Sequence, residues 1–273
     1  QESLLLQMPT NTLKNDPTDV DKPAIFNIND NTFRLVYRSY DGKVETTNIC
    51  SLIPPTTPNV IQQWNASEGT IEITTTATYT SNETLGSTSI SGYNHNIVIK
   101  NVTYPVSGIN VTEPIITFGD FKTTISTADK LDLTLDESAT QCATSGQVYN
   151  YNSSSAFTID NIDTELIKNE STGATPRRGL INSTTNKLLY RVYNGLVTDG
   201  FFCTSPTPTN PTLKETWTGQ NGVDNVSGII EVTSTTYIGN TFKHTITLKN
   251  VILQNGNNTF KLGTSFVLGE LIK

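Results

Sequence analysis

The chain has 273 residues and a net charge of −7. That is long enough for two domains and too acidic to offer the basic surface that nucleic acid requires. Only 16% of it is charged and 35% hydrophobic, and no run of 18 apolar residues occurs, so no membrane-spanning helix is expected. Thr, Asn and Ser number 46, 28 and 21; Thr suits pleated half-buried surfaces and Asn suits turns, and no long helical period competes with them.

Strand signals recur along the chain. Over Phe33–Tyr40 the side chains alternate, with Phe33, Leu35 and Tyr37 on one face and Arg34, Val36 and Arg38 on the other. Asp41-Gly42 then predicts a two-residue hairpin turn, and Pro54, Pro55 and Pro58 a rigid extended loop. Thr70–Thr80 reads as a strand, His95–Val102 as the clearest one, and Ile115–Phe118 as a closing strand. Between Ser126 and Ser145 the acidic residues Asp129, Asp132, Asp136 and Glu137 suit a polar linker. The nearest approach to a helix is Asp163–Lys168. After it come a strand ending at Asn194-Gly195, which predicts a second two-residue hairpin, and a second proline loop at Pro206, Pro208 and Pro211. Strands over Gly228–Tyr237, His244–Val251 and Thr264–Leu268 follow.

The second half repeats the first. Leu35-Val36-Tyr37-Arg38-Ser39-Tyr40-Asp41-Gly42 returns as Leu188-Leu189-Tyr190-Arg191-Val192-Tyr193-Asn194-Gly195, a shift of 153. The same shift carries Cys50 to Cys203, Pro58 to Pro211 and Trp64 to Trp217. A shift of 149 carries His95–Val102 to His244–Val251. A repeat of this length is a domain rather than a solenoid unit. The reading is all-β: two tandem homologous antiparallel β-sandwich-like domains, residues 1–130 and 131–273, from an internal duplication.

Three cysteines leave at least one without an intramolecular partner. Cys50 and Cys203 are counterparts, and the equivalent of Cys142 falls about eleven residues before Gln1 on the same 153-residue spacing. The expected disulfide is therefore Cys142–Cys203, with Cys50 left over, and it implies an oxidising compartment.

His95 and His244, the only histidines, share a face with Ile97, Ile99, Ile246 and Leu248, which points to structural, hydrogen-bonded roles. No His-X-His, HEXXH, Cys-X-X-Cys, Gly-X-Ser-X-Gly or EF-hand spacing occurs, so no catalytic residue, metal site or cofactor is assigned. The paired acids Glu72/Glu231 and Asp120/Glu270 read as solvated strand flanks, and the nine Asn-X-Ser/Thr triplets as a result of composition. Trp64 and Trp217 are the candidate ligand-binding residues. Exposed, each can stack on a sugar ring or anchor an interface; buried, each fills a core.

A Thr/Asn/Ser-rich, acidic, duplicated β chain resembles the exported surface lipoproteins of the Bacteroidota, in style over the whole chain rather than in any motif. The resemblance implies export and outer-membrane anchoring through a lipidated cysteine upstream of Gln1. It also implies glycan or another surface protein as partner, and it carries over no functional residue. The functional expectation is a non-enzymatic, exported, cell-surface-associated protein that binds glycan. A structural adhesin or pilus-like subunit is the first alternative and a carbohydrate-active enzyme the second.

Overall fold

A computed structural model describes residues 1–273. The fold is all-β, with several antiparallel sheets. The chain forms β1 (Glu2–Gln7), β2 (Ala24–Asn27), β3 (Arg34–Tyr40), a short α1 (Thr46–Cys50), β4 (Val60–Asn65), β5 (Glu68–Asn82), β6 (Ser87–Val106) and β7 (Ile109–Thr124). There follow β8 (Thr140–Gln141), β9 (Val148–Tyr151), β10 (Ser155–Asp160), β11 (Arg177–Leu180), β12 (Lys187–Tyr193) and β13 (Leu213–Gly219). The last are β14 (Ile229–Thr236), β15 (Phe242–Lys249), β16 (Val251–Asn255), β17 (Asn258–Gly263) and β18 (Phe266–Ile272). Asp163–Lys168 holds a single 3-10 turn over Thr164–Ile167.

Two compact units result. One comprises Gln1–Thr78 with Gly92–Thr124, the other Tyr79–Ser91 with Ile125–Lys273. The units therefore part at 124/125 rather than 130/131. The hairpin tip 79–91 goes with the second unit because Thr264 donates to the Leu85 carbonyl (2.9 Å) and Lys261 to Thr88 Oγ1 (2.9 Å).

In the first unit the sheet β1-β3-β4 and the sheet β2-β5-β6-β7 share one core, with Leu35, Ile71, Ile73, Ile97 and Ile99 buried between them. In the second unit the sheet β17-β16-β13-β12-β10-β9-β8 and the sheet β11-β14-β15-β18 share another, around Phe157, Tyr190, Trp217, Ile230 and Ile246. Alternation explains the central strands: on β15, His244, Ile246 and Leu248 are buried and their neighbours half-buried.

Similar local geometry recurs at the repeat spacing. Leu4 lies opposite Tyr37 and Tyr37 opposite Trp64; Phe157 lies opposite Tyr190 and Tyr190 opposite Trp217. The register slips between Ile97 and Val98 opposite Gly119, and between Ile246 and Thr247 opposite Gly269. Those glycines have φ of 128° and 149°, a conformation that side chains resist, so glycine is required where each strand bulges.

The two expected tight hairpins do not form. None of Asp41, Gly42, Asn194 and Gly195 has positive φ, and the paired strands resume only at Val60 and Leu213. Long loops intervene because their ends are tied together. Asp41 accepts from the Asn59 backbone and side-chain nitrogens, both at 2.8 Å, and the Asn194 backbone donates to the Thr212 carbonyl (2.9 Å). Gly42 and Gly195 each leave room for a proline, Pro58 and Pro211, both of which follow cis peptide bonds.

Candidate functional site

The two candidate tryptophans occupy matching strand positions and different environments. Trp217 is 5% exposed, edge-on to Phe260 with ring centroids 4.9 Å apart. Leu131, Leu133 and Leu135 pack against the same core. Their segment is pinned through the Asp132 carbonyl, which accepts from the Tyr190 hydroxyl (2.7 Å) and from Ser155 Oγ (3.0 Å). Asn152 Nδ2 adds a bond to the Thr134 carbonyl (2.9 Å).

Trp64 is only half-buried. It stacks on Tyr37 at 4.9 Å and lies tilted against Tyr104 at 6.5 Å. These rings line an open groove of about 410 Å³ with Val111 and two carboxylates, Glu2 and Glu113. The Glu2 carboxylate, hydrogen-bonded to the Tyr37 hydroxyl, pushes that phenol above its ordinary value. Burial, and then the charge of Glu113, push the Tyr104 phenol up to about 12. The groove thus joins apolar ring faces to an anionic rim, which suits a ligand with flat apolar surface and hydrogen-bond donors. No protein family, curated protein or solved structure matches this chain.

Of the candidate binding residues, the structure brings Trp64 alone to an open surface; Trp217 is a core residue. Glu2, Tyr104 and Glu113 escaped the sequence reading because only strand register sets them beside Trp64. Leu4-Leu5-Leu6 was the one local sign that β1 has apolar work to do.

Cys142 and Cys203 are bonded, and Cys50 is an exposed thiol. Around the bridge, Tyr149, Ala156, Tyr193, Val197, Phe201 and Phe202 form a satellite core on the sheet's other face. Arg38 donates to Gln63 (2.8 Å) and Arg191 to Thr158 Oγ1 (2.8 Å). The recurring acids are paired or bonded at the surface: Glu72 with Lys100 (2.7 Å), Glu231 with Arg178, Glu270 with Lys243 (2.8 Å), and Asp120 with Asn94 and Asn96.

Both histidines are fully buried. Thr75 Oγ1 lies 2.9 Å from His95 Nδ1, and Ser234 Oγ 2.7 Å from His244 Nδ1. Asn169 Oδ1, 3.2 Å from His244 Nε2, can only accept, which assigns the proton to Nε2 and makes Ser234 the donor to Nδ1. Burial lowers both imidazole pKa values below the ordinary 6.5, with Arg177 and Lys273 adding to the effect at His244. A depressed folded value means that the unfolded chain binds protons first. The stability each neutral histidine protects is fully present above about pH 6.5 and is lost as pH falls through the folded value. The urea midpoint should therefore fall between pH 7.5 and pH 5. The decline should be smaller in the His95→Gln/His244→Gln double variant; equal slopes in both proteins would refute the assignment.

Proposed function

We propose that the chain is a non-enzymatic, exported, cell-surface-associated recognition protein of two tandem, duplicated β-sandwich-like domains. One domain is closed, and the other carries an open recognition groove at Trp64. The contrast between Trp64 and Trp217 carries this reading: the same strand positions hold an open aromatic groove in one unit and a closed core in the other. The duplication is supported by the matched cross-strand pairs, glycine bulges and histidine–hydroxyl contacts. Export is supported by the Cys142–Cys203 bridge, which persists in oxidising compartments.

The adhesin-like alternative fits the groove best, because the open groove borders β1, an edge strand able to accept a partner strand. Glycan is a second reading, favoured by the Trp64–Tyr37 stack beside two carboxylates. A titration of the chain with a panel of oligosaccharides and extended peptides, followed by tryptophan emission, tests both. Binding by one class should shift the emission and be lost in Trp64→Ala. No response from either class at millimolar concentration would end the groove reading.

A further inference from the structure

We propose that the second unit carries a separate binding pocket at Arg191 and Tyr193, on the face of its larger sheet that turns away from Trp217, for a hydroxylated ring bearing a carboxylate, as in an acidic sugar residue. The site is independent of the Trp64 groove and goes beyond it.

Alternation along β12 turns Tyr190 and Val192 into the main core and Arg191 and Tyr193 to the other face, where the satellite core sits. There a cavity of about 480 Å³ opens beside the second proline loop, with Arg191, Tyr193, Phe201, Phe202, Pro208 and Leu213 in its lining. The volume lies within the roughly 300–1,000 Å³ usual for small-ligand sites. Its walls are set before any ligand arrives. Phe201 and Phe202 pack edge-on at 5.2 Å beside the Cys142–Cys203 bridge, and Pro211 packs against Gly195.

Two polar groups in this cavity have bonding capacity to spare. Tyr193 is 8% exposed, yet its hydroxyl makes no hydrogen bond within the chain. The first unit shows what is missing. There the counterpart, Tyr40, has its hydroxyl 3.2 Å from Ser3 Oγ, and Ser3 lies opposite Arg38. The residue opposite Arg191 is Ala156, which has no hydroxyl to offer. Phe201 and Phe202 likewise stand where the first unit has Asn48 and Ile49. The second unit therefore has an aromatic wall and an unmet phenol at positions that are polar or satisfied in the first.

The other group is Arg191, the one charged side chain of the lining. Its Nη1 donates to Thr158 Oγ1 (2.8 Å), which donates in turn to Asp160 Oδ1 (3.2 Å). Asp160 also accepts from Gln147 Nε2 (2.6 Å) and stands 3.9 Å from Arg191 Nη2, too far for a hydrogen bond. This relay fixes the guanidinium and leaves its other donors for a ligand. The Arg191 charge also works against the rise that burial gives the Tyr193 phenol, which places the two groups together.

An arginine fork beside a phenol hydroxyl matches a carboxylate, because both are donors and charge-assisted bonds are the strong ones. No acidic side chain lines the cavity to compete for them. The rest of the lining suits a ring with hydroxyls. Phe201, Phe202 and Pro208 give apolar contact, while Thr207, Thr209 and the Gln147 carbonyl oxygen give polar contact. A purely apolar acid would forgo the second set, and a neutral sugar would leave the arginine and the phenol unmet.

Calorimetric titration of the intact chain with a galacturonate oligosaccharide, its methyl ester and a neutral glucose oligosaccharide tests the assignment. Only the free acid should bind at millimolar concentration. Tyr193→Phe should weaken that binding about tenfold, the scale of one hydrogen bond to a charged group. It should leave the urea midpoint of the second unit unchanged, since the hydroxyl makes no bond within the chain. Arg191→Lys, which keeps the charge and loses the fork, should weaken binding at least as much. Trp64→Ala should have no effect, so this site stands or falls apart from the groove. Equal binding of acid and ester, or no loss in Tyr193→Phe, would overturn the proposal. So would failure of the acid to bind. Binding of a peptide with a free C-terminal carboxylate in place of the acidic sugar would overturn it too, and would give the pocket to a protein terminus.

Discussion

Replacing Cys142 and Cys203 together by serine should destabilise the second unit by about 4 kcal/mol and leave the first unit unchanged. The bridge spans 61 residues, and closing a loop of that length removes roughly this much freedom from the unfolded chain. The bridge packs in the satellite core among Tyr149, Tyr193, Phe201 and Phe202. Urea unfolding followed at Trp217, in a Trp64→Phe background, reads the second unit alone because Trp217 sits in its core. At a urea slope of about 2 kcal/mol/M the midpoint should drop by about 2 M. A drop below about 0.5 M would mean that the reduced chain retains the loop by other contacts. The single variant Cys50→Ser should move neither unit, since that thiol is exposed and unpaired.

What could be read from the sequence, and what could not, follows from the range of the interactions concerned. The alternation in His95–Val102 and His244–Val251 is local, so the strands and the inward histidines were legible. The counterpart relation between Cys50 and Cys203 pointed to Cys142 as the bonding partner. Asp41-Gly42 misled because its chemistry is spent elsewhere: Asp41 binds Asn59, and Gly42 makes room for Pro58. The reach of β5 and β6 past the first unit was invisible because the tip's partners, Thr264 and Lys261, lie about 175 residues away. Nor does anything near Trp64 or Trp217 say which is covered. That depends on residues distant along the chain: Phe260 lies edge-on to Trp217, and Leu131, Leu133 and Leu135 pack against the same core.

The same dependence gives the two tryptophans unequal energetic roles. Trp217→Ala should cost about 3–5 kcal/mol, the range for emptying a large aromatic from a packed core. It would remove the edge contact with Phe260 and leave a cavity in the core. Trp64→Ala should cost only about 1–2 kcal/mol, because the ring is half-buried and loses mainly its stack on Tyr37. Trp217→Phe supplies a control. The indole Nε1 is buried without a hydrogen-bond partner, so deleting it relieves an unmet donor, and the cost should stay under about 1.5 kcal/mol. Denaturant titrations followed by far-ultraviolet circular dichroism would measure all three variants without relying on the missing fluorophore. Equal costs at the two positions would mean that Trp64 is a core residue, which leaves the groove no aromatic platform. A large difference would mean that Trp64 contributes less to folding than Trp217 and keeps an open ring face that a ligand can use.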